Sequence, residues 1–453
     1  MNGGSMADAG AHGVTALRGG LVTFNDDPFV AGVAAACRYE PDALVVMRDG
    51  RIVDCGAAAL VAARLPEGVP VTSYAHALIT AGFVDTHVHY PQLPIIGAGG
   101  KPLLEWLSGY TFPVEERYAD AAYARSVAVT YLRENLRHGI TTAAVFCTVH
   151  AASADVLFEE AAALDLRLIA GKVLMDRNAP EALLDTAQRG YDDSKALIAR
   201  WHGRGRLAYA VTPRFAATST PAQLDLAGAL KREHPDVYVQ SHLSENLAEV
   251  ALVSSLFPQA SSYLDVYARH GLTGPRTIYG HGVHLSESDF GFLHQSGTAL
   301  AHCPTSNNFL GSGHFRLCAA KDARRPVRVG LATDLGGGTS FSILRTMQAA
   351  YEVAQASGSP LPPSSALYLA TRGAAQALDL DDRIGSIAPG MEADLAVLDL
   401  ESSPLIEFRM RDVADFDEAL GVQMALAGER VVRSTYVAGR CVYDRDARDD
   451  APQ

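Results

Sequence analysis

Short apolar runs recur through the interior of the chain at Ile79 to Val84, Ile140 to Phe146, Leu166 to Leu174, Leu207 to Val211, Val237 to Val239, Thr277 to Tyr279, Thr298 to Ala301 and Val327 to Leu331. Runs of this length without polar alternation are what a strand covered on both faces leaves in a sequence. Between them the pattern changes to helical spacing. Ala128, Leu132 and Leu136 fall four apart on one face, with Arg133 and Arg137 turned away and Gly139 in the stop position. Asp155 is read as the cap of the next helix, whose inner face takes Leu157, Ala161 and Leu164. Ser286 and Asp289 predict a capping box ahead of Phe290 to Leu293, with Asp in place of the usual Glu or Gln. Eight strands alternating with helices predict an α/β fold, a (β/α)8 TIM-like barrel over 79–385. Counting strands leaves an open doubly wound sheet as the alternative, although neither a dinucleotide glycine fingerprint nor a Walker phosphate loop is present.

The two ends follow a different pattern. Leu21 to Phe24 and Leu44 to Met47 are strand-like, and Asp49-Gly50 supplies a tight turn before Arg51 to Val53. Near the other terminus Tyr436-Val437, Ala438-Gly439 and Arg440 to Val442 repeat that unit. Two such hairpins bracketing the barrel predict one small β-sandwich domain assembled from 1–78 and 386–453; two unrelated subdomains are the alternative. The opening dozen residues and the stretch from Arg445 to Gln453 are read as frayed tails.

Composition narrows the partners. In 453 residues with 48% hydrophobic content there is enough apolar surface for a sizeable core. A formal net charge of -13 provides no basic surface for a nucleic-acid polymer, while leaving a single base or nucleoside possible as a ligand. The six cysteines are scattered and form no CxxC pair, as expected of buried thiols in a reduced, cytoplasmic protein. No basic start leads into an apolar stretch and no 18 apolar residues are consecutive, so neither secretion nor a membrane partner is expected.

The chemistry concentrates at the strand ends. In Phe83-Val84-Asp85-Thr86-His87-Val88-His89 the two histidines are two apart, so both imidazoles project from the same side of one strand. Alone, an HxH pair is a weak signal. His242 closes the fifth run, His281 the sixth and Asp334 the eighth, and in a barrel all these carboxyl ends meet at one rim. Four imidazoles and a carboxylate suit one borderline cation such as zinc. The competing view, that each histidine caps its own loop, does not account for the shared position. Glu245, three residues beyond His242, is placed to move a proton without being a ligand, and Asp334 to orient the water as well as bind; alternatively Glu245 caps the helix from Asn246 and Asp334 only completes the metal shell. His150, His284 and His302 also lie near strand ends and are candidates for orienting a ligand. Lys172 is the only lysine within a barrel run and lies on the third, with none on the fourth to recruit a second ion, which favours one metal.

Taken together these features resemble the amidohydrolase superfamily over essentially the whole chain. Within it the phrases PQ after the HxH, LLEWL at 103–107, YTFP at 110–113, TPRF at 212–215, SHLSEN at 241–246, YGHGVHLS at 279–286, AHCPTSNNFLGSG at 301–313 and ATDLGGGTSFS at 332–342 are similar to those of the barrel-type guanine deaminases. The resemblance implies one zinc ion per subunit on His87, His89, His242 and His281, with Asp334 beside the activated water and Glu245 as proton shuttle. It further implies that Gln92 and Arg214 contact the purine edge, Arg214 at the O6 carbonyl oxygen, with Phe215 framing the ring. The implied reaction is attack of metal-bound hydroxide at C2 of guanine, giving xanthine and ammonia. Lys101 to Pro113 is expected to form a lid, with Trp106, Tyr110 and Phe112 either stacking on the ring or forming the lid's own core. Homodimers are the assembly implied by the resemblance. Deaminases or dechlorinases of another purine, a pyrimidine or a triazine would share the ligand set, so Gln92, Arg214, Phe215 and the lid carry the distinction; a noncatalytic metal-stabilised protein is the reading from another class.

Overall fold

A computed structural model of the chain describes residues 13–447. The strands are β1 (Val14–Phe24), β2 (Cys37–Arg48), β3 (Arg51–Ala57), β4 (Val71–Ala81), β5 (Phe83–His89), β6 (Ile140–Phe146), β7 (Arg167–Gly171), β8 (Val173–Leu174), β9 (Leu207–Pro213), β10 (Tyr238–Leu243), β11 (Thr277–His281), β12 (Ala299–His302), β13 (Val329–Leu331), β14 (Leu395–Asp399), β15 (Val432–Val437) and β16 (Arg440–Asp444).

Eight of these run parallel in the order β5-β6-β7-β9-β10-β11-β12-β13, with the short β8 paired to β9. The ends of that sheet meet: the Asp334 amide donates to the His87 carbonyl at 3.0 Å and the Thr86 hydroxyl to the Leu331 carbonyl at 2.9 Å. The sheet is therefore a barrel rather than an open doubly wound layer. Its lower interior takes Val84, Ala144, Ile169, Ala210 and Ile278 from five strands and packs against Ala374, Leu378 and Ile384.

The helix predicted around Ala128 runs Ala121–Arg137 and buries Ala128, Leu132 and Leu136. The Ser286–Asp289 capping box is present, a reciprocal pair of bonds worth about 1 kcal/mol. Asp155 is not a cap. Its helix begins at Ala151 after His150, and the Asp155 carboxylate instead accepts from Trp201 Nε1 at 2.6 Å and Arg200 Nη1 at 2.7 Å, because helix-to-helix partners outcompete a local turn. Leu157 and Ala161 are buried as expected, while Leu164 is the half-buried C-cap.

The terminal strands form one seven-stranded sheet, β16-β15-β14-β4-β1-β2-β3, joining both ends of the chain in a sandwich-like unit. Both hairpin turns have left-handed central pairs, Asp49 (φ 52) with Gly50 (φ 77) and Ala438 (φ 45) with Gly439 (φ 73), as the twist of a two-residue hairpin requires. The two turns pack on each other: a Cβ on Gly50 would lie 3.3 Å from that of Ala438. The apolar run from Ile79 to Val84 is two strands. Ile79 to Ala81 end β4 in the terminal sheet, Phe83 opens the barrel, and Gly82 between them has room for no side chain against Thr141. A continuous apolar pattern does not show where the hydrogen-bonding partner changes.

Of the expected tails, residues 1–12 and 448–453 lie outside the described residues, whereas Arg445 is anchored by Asp399 at 2.8 Å. The thiols are more varied than expected, with Cys147 and Cys303 buried, Cys37 and Cys55 half-buried, and Cys318 and Cys441 exposed. Among the described residues no helix is long and apolar enough to cross a membrane.

Candidate active site

The carboxyl ends of the barrel strands bring His87 and His89 (β5), His242 (β10), His281 (β11) and Asp334 (after β13) around one point. His87 Nε2 lies 3.4 Å and His89 Nε2 3.7 Å from Asp334 Oδ1, and His281 Nε2 lies 3.7 Å from Asp334 Oδ2. His89 and His242 point their Nε2 atoms at each other across 2.9 Å. His87, His89, His281 and Asp334 are buried and His242 is half-buried, and the Nε2 atoms of His87 and His281 have no hydrogen-bond partner. Buried nitrogens are rarely left unpaired, so a set of them converging on one point fits a bound cation better than a purely structural role. These residues form a metal-binding cluster suited to a divalent ion.

The surroundings prepare the imidazoles as ligands. His242 Nδ1 is 2.6 Å from the Arg214 carbonyl oxygen and His281 Nδ1 is 2.9 Å from Asn307 Oδ1; each acceptor takes the Nδ1 proton and leaves Nε2 as the free base. The Phe146 ring at the end of β6 lies 4.7, 4.6 and 4.9 Å from the rings of His87, His89 and His242. Burial on this apolar floor holds the pKa of all three below the usual histidine range, with neighbouring imidazoles adding to the effect at His89 and His242. His281 moves the other way: burial lowers it, but the carboxylates of Glu245 and Asp334 outweigh that and raise it. Asp334 is held below the ordinary carboxylate range despite burial, by His87 and His281.

Three of the ten non-glycine residues with left-handed backbones among the described residues lie at the same place. Ser244 (φ 49), His281 (φ 72) and Asp334 (φ 45) all take left-handed conformations unusual for residues with a side chain, which turn the chain sharply at the ends of three strands. Gly280 and Gly336 make room. A Cβ on Gly280 would come within 2.7 Å of the His87 ring, and one on Gly336 (φ 114) within 2.3 Å of Gln92.

Glu245 is buried beside the cluster, with Oε2 at 3.3 Å from His281 Nε2 and Oε1 accepting from the Ser312 hydroxyl at 3.1 Å. It does not cap the following helix; Asn246 and Glu249 form that capping box between them. Burial raises the Glu245 carboxyl to about 7, with Asp334 and Glu249 adding to the rise and His281 opposing it.

A small cleft opens over these groups. It is lined by His89, His242, His281, Glu245 and Asp334, by Gln92, Arg214 and Phe215, and by the apolar Leu103, Trp106, Leu107 and Leu310. Of the three lid aromatics only Trp106 lines it, its indole N–H bonded to the Ala98 carbonyl at 2.6 Å. Tyr110 and Phe112 do not. The segment is helical from Leu103 but widens into a π-turn over Leu107–Thr111, which shifts the register so that Tyr110 faces the Lys101 ammonium at 4.9 Å and Phe112 backs the Arg214 guanidinium at 5.7 Å. None of the three histidines considered for orienting a ligand is hydrogen-bonded to one: His150 is the N-cap residue of a helix, His284 Nε2 is 2.8 Å from the Ser312 carbonyl oxygen, and His302 stacks on Phe315. Lys172, in the break between β7 and β8, is paired with Asp185.

Several residues at the site are given no role by the sequence. Asn307, in the short helix Pro304–Phe309 after β12, and Ser312 just beyond it orient His281 and Glu245. Asp85 lies two residues before His87, and its carboxylate accepts from the Thr333 amide at 3.0 Å, tying the first strand to the residue before Asp334. The buried Cys303 thiol lies with His87, His281 and Asp334 in a second group of ligand-type atoms. Glu115, completely buried, accepts from Arg214.

The chain matches the Amidohydrolase family over residues 78–442. It is 45% identical over 441 residues to the guanine deaminase of Escherichia coli (strain K12), covering 97% of this chain and 100% of that protein. The solved E. coli guanine deaminase superimposes with a TM-score of 0.93 over 95% of this chain and 100% of that chain, at 45% identity. A guanine deaminase from C. acetobutylicum with guanine bound in its active site gives a TM-score of 0.85 at 27% identity, over 95% of this chain and 100% of that chain. With the ligand cluster on a closed barrel and a match spanning most of its length, this chain belongs to the amidohydrolase family.

Proposed function

We infer that this chain is a guanine deaminase, converting guanine and water to xanthine and ammonia. The observation that carries it is that one cleft holds the metal-binding cluster together with Gln92 and Arg214, in a chain so similar to guanine deaminases along its whole length. The metal is zinc, one ion per subunit, held by His87, His89, His242 and His281 with Asp334, a nitrogen-rich donor set that this ion favours. When bound, such an ion lowers the pKa of water from 15.7 to about 7 and stabilises developing negative charge.

The chain's own residues do the rest. Asp334 orients the attacking water. Glu245, raised to about 7 by burial, is poised near the pH at which a group both accepts and releases a proton: it takes one proton from the attacking water and leaves it on N3, then takes the remaining proton from the oxygen added at C2 and passes it to the amine as the C2–N bond breaks. Arg214 donates to the O6 carbonyl oxygen and Gln92 contacts the purine edge, while Phe215 frames the ring. A guanidinium is a donor only, so adenine, with a donating amine at that position, leaves it unpaired; sites built this way reject the wrong partner by roughly 10⁴. Trp106, Leu103 and Leu107 close the apolar side and exclude water. The active assembly is a homodimer, which light scattering on the purified protein would measure.

The test is to offer the purified protein guanine, adenine, guanosine, cytosine and 8-oxoguanine, measuring ammonia and metal content. Ammonia from guanine, with xanthine as product and zinc bound, is the expected result. Equal or faster release from another substrate overturns the assignment and leaves the fold untouched.

A further inference from the structure

We propose that Glu115 is a positioning residue that holds both polar side chains facing the purine edge, Arg214 and Gln92, and ties them to the lid. It rests on the guanine assignment above and extends it to a residue outside the cleft lining. Arg214 Nη1 donates to Glu115 Oε1 and Oε2 at 2.8 Å each, and the Gln92 side chain lies within reach of the same carboxylate. The pair is fully enclosed, Glu115 at 0% and Arg214 at 2% exposure, so no water substitutes for the contact. Both bonds use Nη1, which leaves Nε and Nη2 for a ligand in the cleft.

A further observation supports the assignment. Glu115 ends the helical turn Phe112–Glu115, which continues directly from the π-turn carrying Leu107 at the cleft wall. The carboxylate therefore couples the segment that covers the ring to the residue that grips it.

The experiment compares wild type, Glu115→Gln and Glu115→Asp on guanine and on 2-aminopurine, which keeps the C2 amine and lacks O6. Wild-type deamination of guanine is the control for the assignment itself; if it fails, that assignment falls before Glu115 is at issue. For Glu115→Gln the KM for guanine should rise roughly 10- to 100-fold with a smaller change in kcat, as expected for a loosened charge-assisted contact. The inhibition constant for 2-aminopurine should move by less than about threefold, since it has no O6 to lose. Glu115→Asp, which retains the charge, should recover part of the guanine KM. An equal loss for both purines, or a lower melting temperature with KM unchanged, assigns Glu115 to the scaffold and overturns the proposal. Should Glu115→Gln not fold, the ratio of the guanine KM to the 2-aminopurine inhibition constant in Glu115→Asp decides: a rise over wild type supports the proposal and an unchanged ratio overturns it.

Discussion

Two groups of ionisable side chains lie at opposite ends of the barrel, carboxylates with arginines at one and with histidines at the other, and they are treated in opposite ways. At the amino-terminal end Arg167 donates to Glu392 at 3.1 and 2.5 Å, and Arg206 donates to Glu392 at 2.7 Å and also to Asp394. The remaining Asp394 oxygen accepts from the Ala438 amide at 2.8 Å, so all four carboxylate oxygens are paired and the barrel is bolted to the terminal sheet. At the carboxyl-terminal rim the Nε2 atoms of His87 and His281 have no partner and three residues hold strained backbones. Burial costs both groups solvation; at the base every carboxylate oxygen recovers it from within the chain and Arg206 Nε alone is left unpaired, whereas at the rim it is the ligand nitrogens themselves that have no partner. A barrel places its chemistry at the rim and its stability at the base, and the pairing of polar atoms distinguishes the two without reference to any relative.

The comparison breaks most sharply if a ligand is removed. His87→Ala should lose bound metal and at least about 10³-fold in turnover, the scale of an effect worth several kcal/mol, while the midpoint of unfolding by denaturant stays close to that of metal-free wild type. Metal retained with activity intact would mean that the unpaired nitrogens at the rim have another purpose. Glu245→Gln comes next. Kinetics and metal analysis should show turnover down by about 10²–10⁴ with the metal still bound, since the residue moves protons and does not hold the ion. Loss of metal, or near-normal turnover, contradicts that role.

A smaller effect is expected one contact further out. Asn307→Ala removes the acceptor that fixes the His281 ring and should cost roughly 10- to 100-fold in metal affinity or activity, measured by competition with a chelator. An unchanged affinity would show that the short helix after β12 is packing alone.

How much of this was legible in the sequence follows from which interactions are local. Alternation along one strand exposes His87 and His89 together, and the same rule reaches Asp85 two residues earlier, although a carboxylate inside an apolar run looks like one more strand residue until its partner Thr333 is known. Strand-end position reveals His242, His281 and Asp334. It applies equally to Phe146, the last residue of β6, but an aromatic ring there does not announce that three imidazoles rest on it. Asn307, Ser312 and Glu115 are invisible because their partners lie 26, 67 and 99 positions away and depend on how loops fold back. The sequence leaves the lid aromatics open between stacking on the ring and the lid's own core, because nothing local marks the π-turn at Leu107–Thr111, around which Tyr110 faces Lys101 and Phe112 backs Arg214 while Trp106 lines the cleft.

The smallest effect on catalysis is expected at the base, where it discriminates most between the two ends. Glu392→Gln keeps the size of the side chain and removes the charge shared by Arg167 and Arg206, leaving two buried guanidinium groups with Asp394 as the only nearby carboxylate of the cluster. Breaking a buried pair in this way costs about 3–5 kcal/mol, because the surviving charge stays desolvated without its partner. That loss should appear as a lower midpoint of unfolding by denaturant. At a temperature where the variant remains folded, however, KM and kcat for guanine should stay within about twofold of wild type, since Glu392 lies near the amino-terminal ends of the strands and contributes nothing to the cleft lining. A large change in kcat without loss of stability would mean that the base communicates with the rim, and the division of labour between the two ends would have to be abandoned.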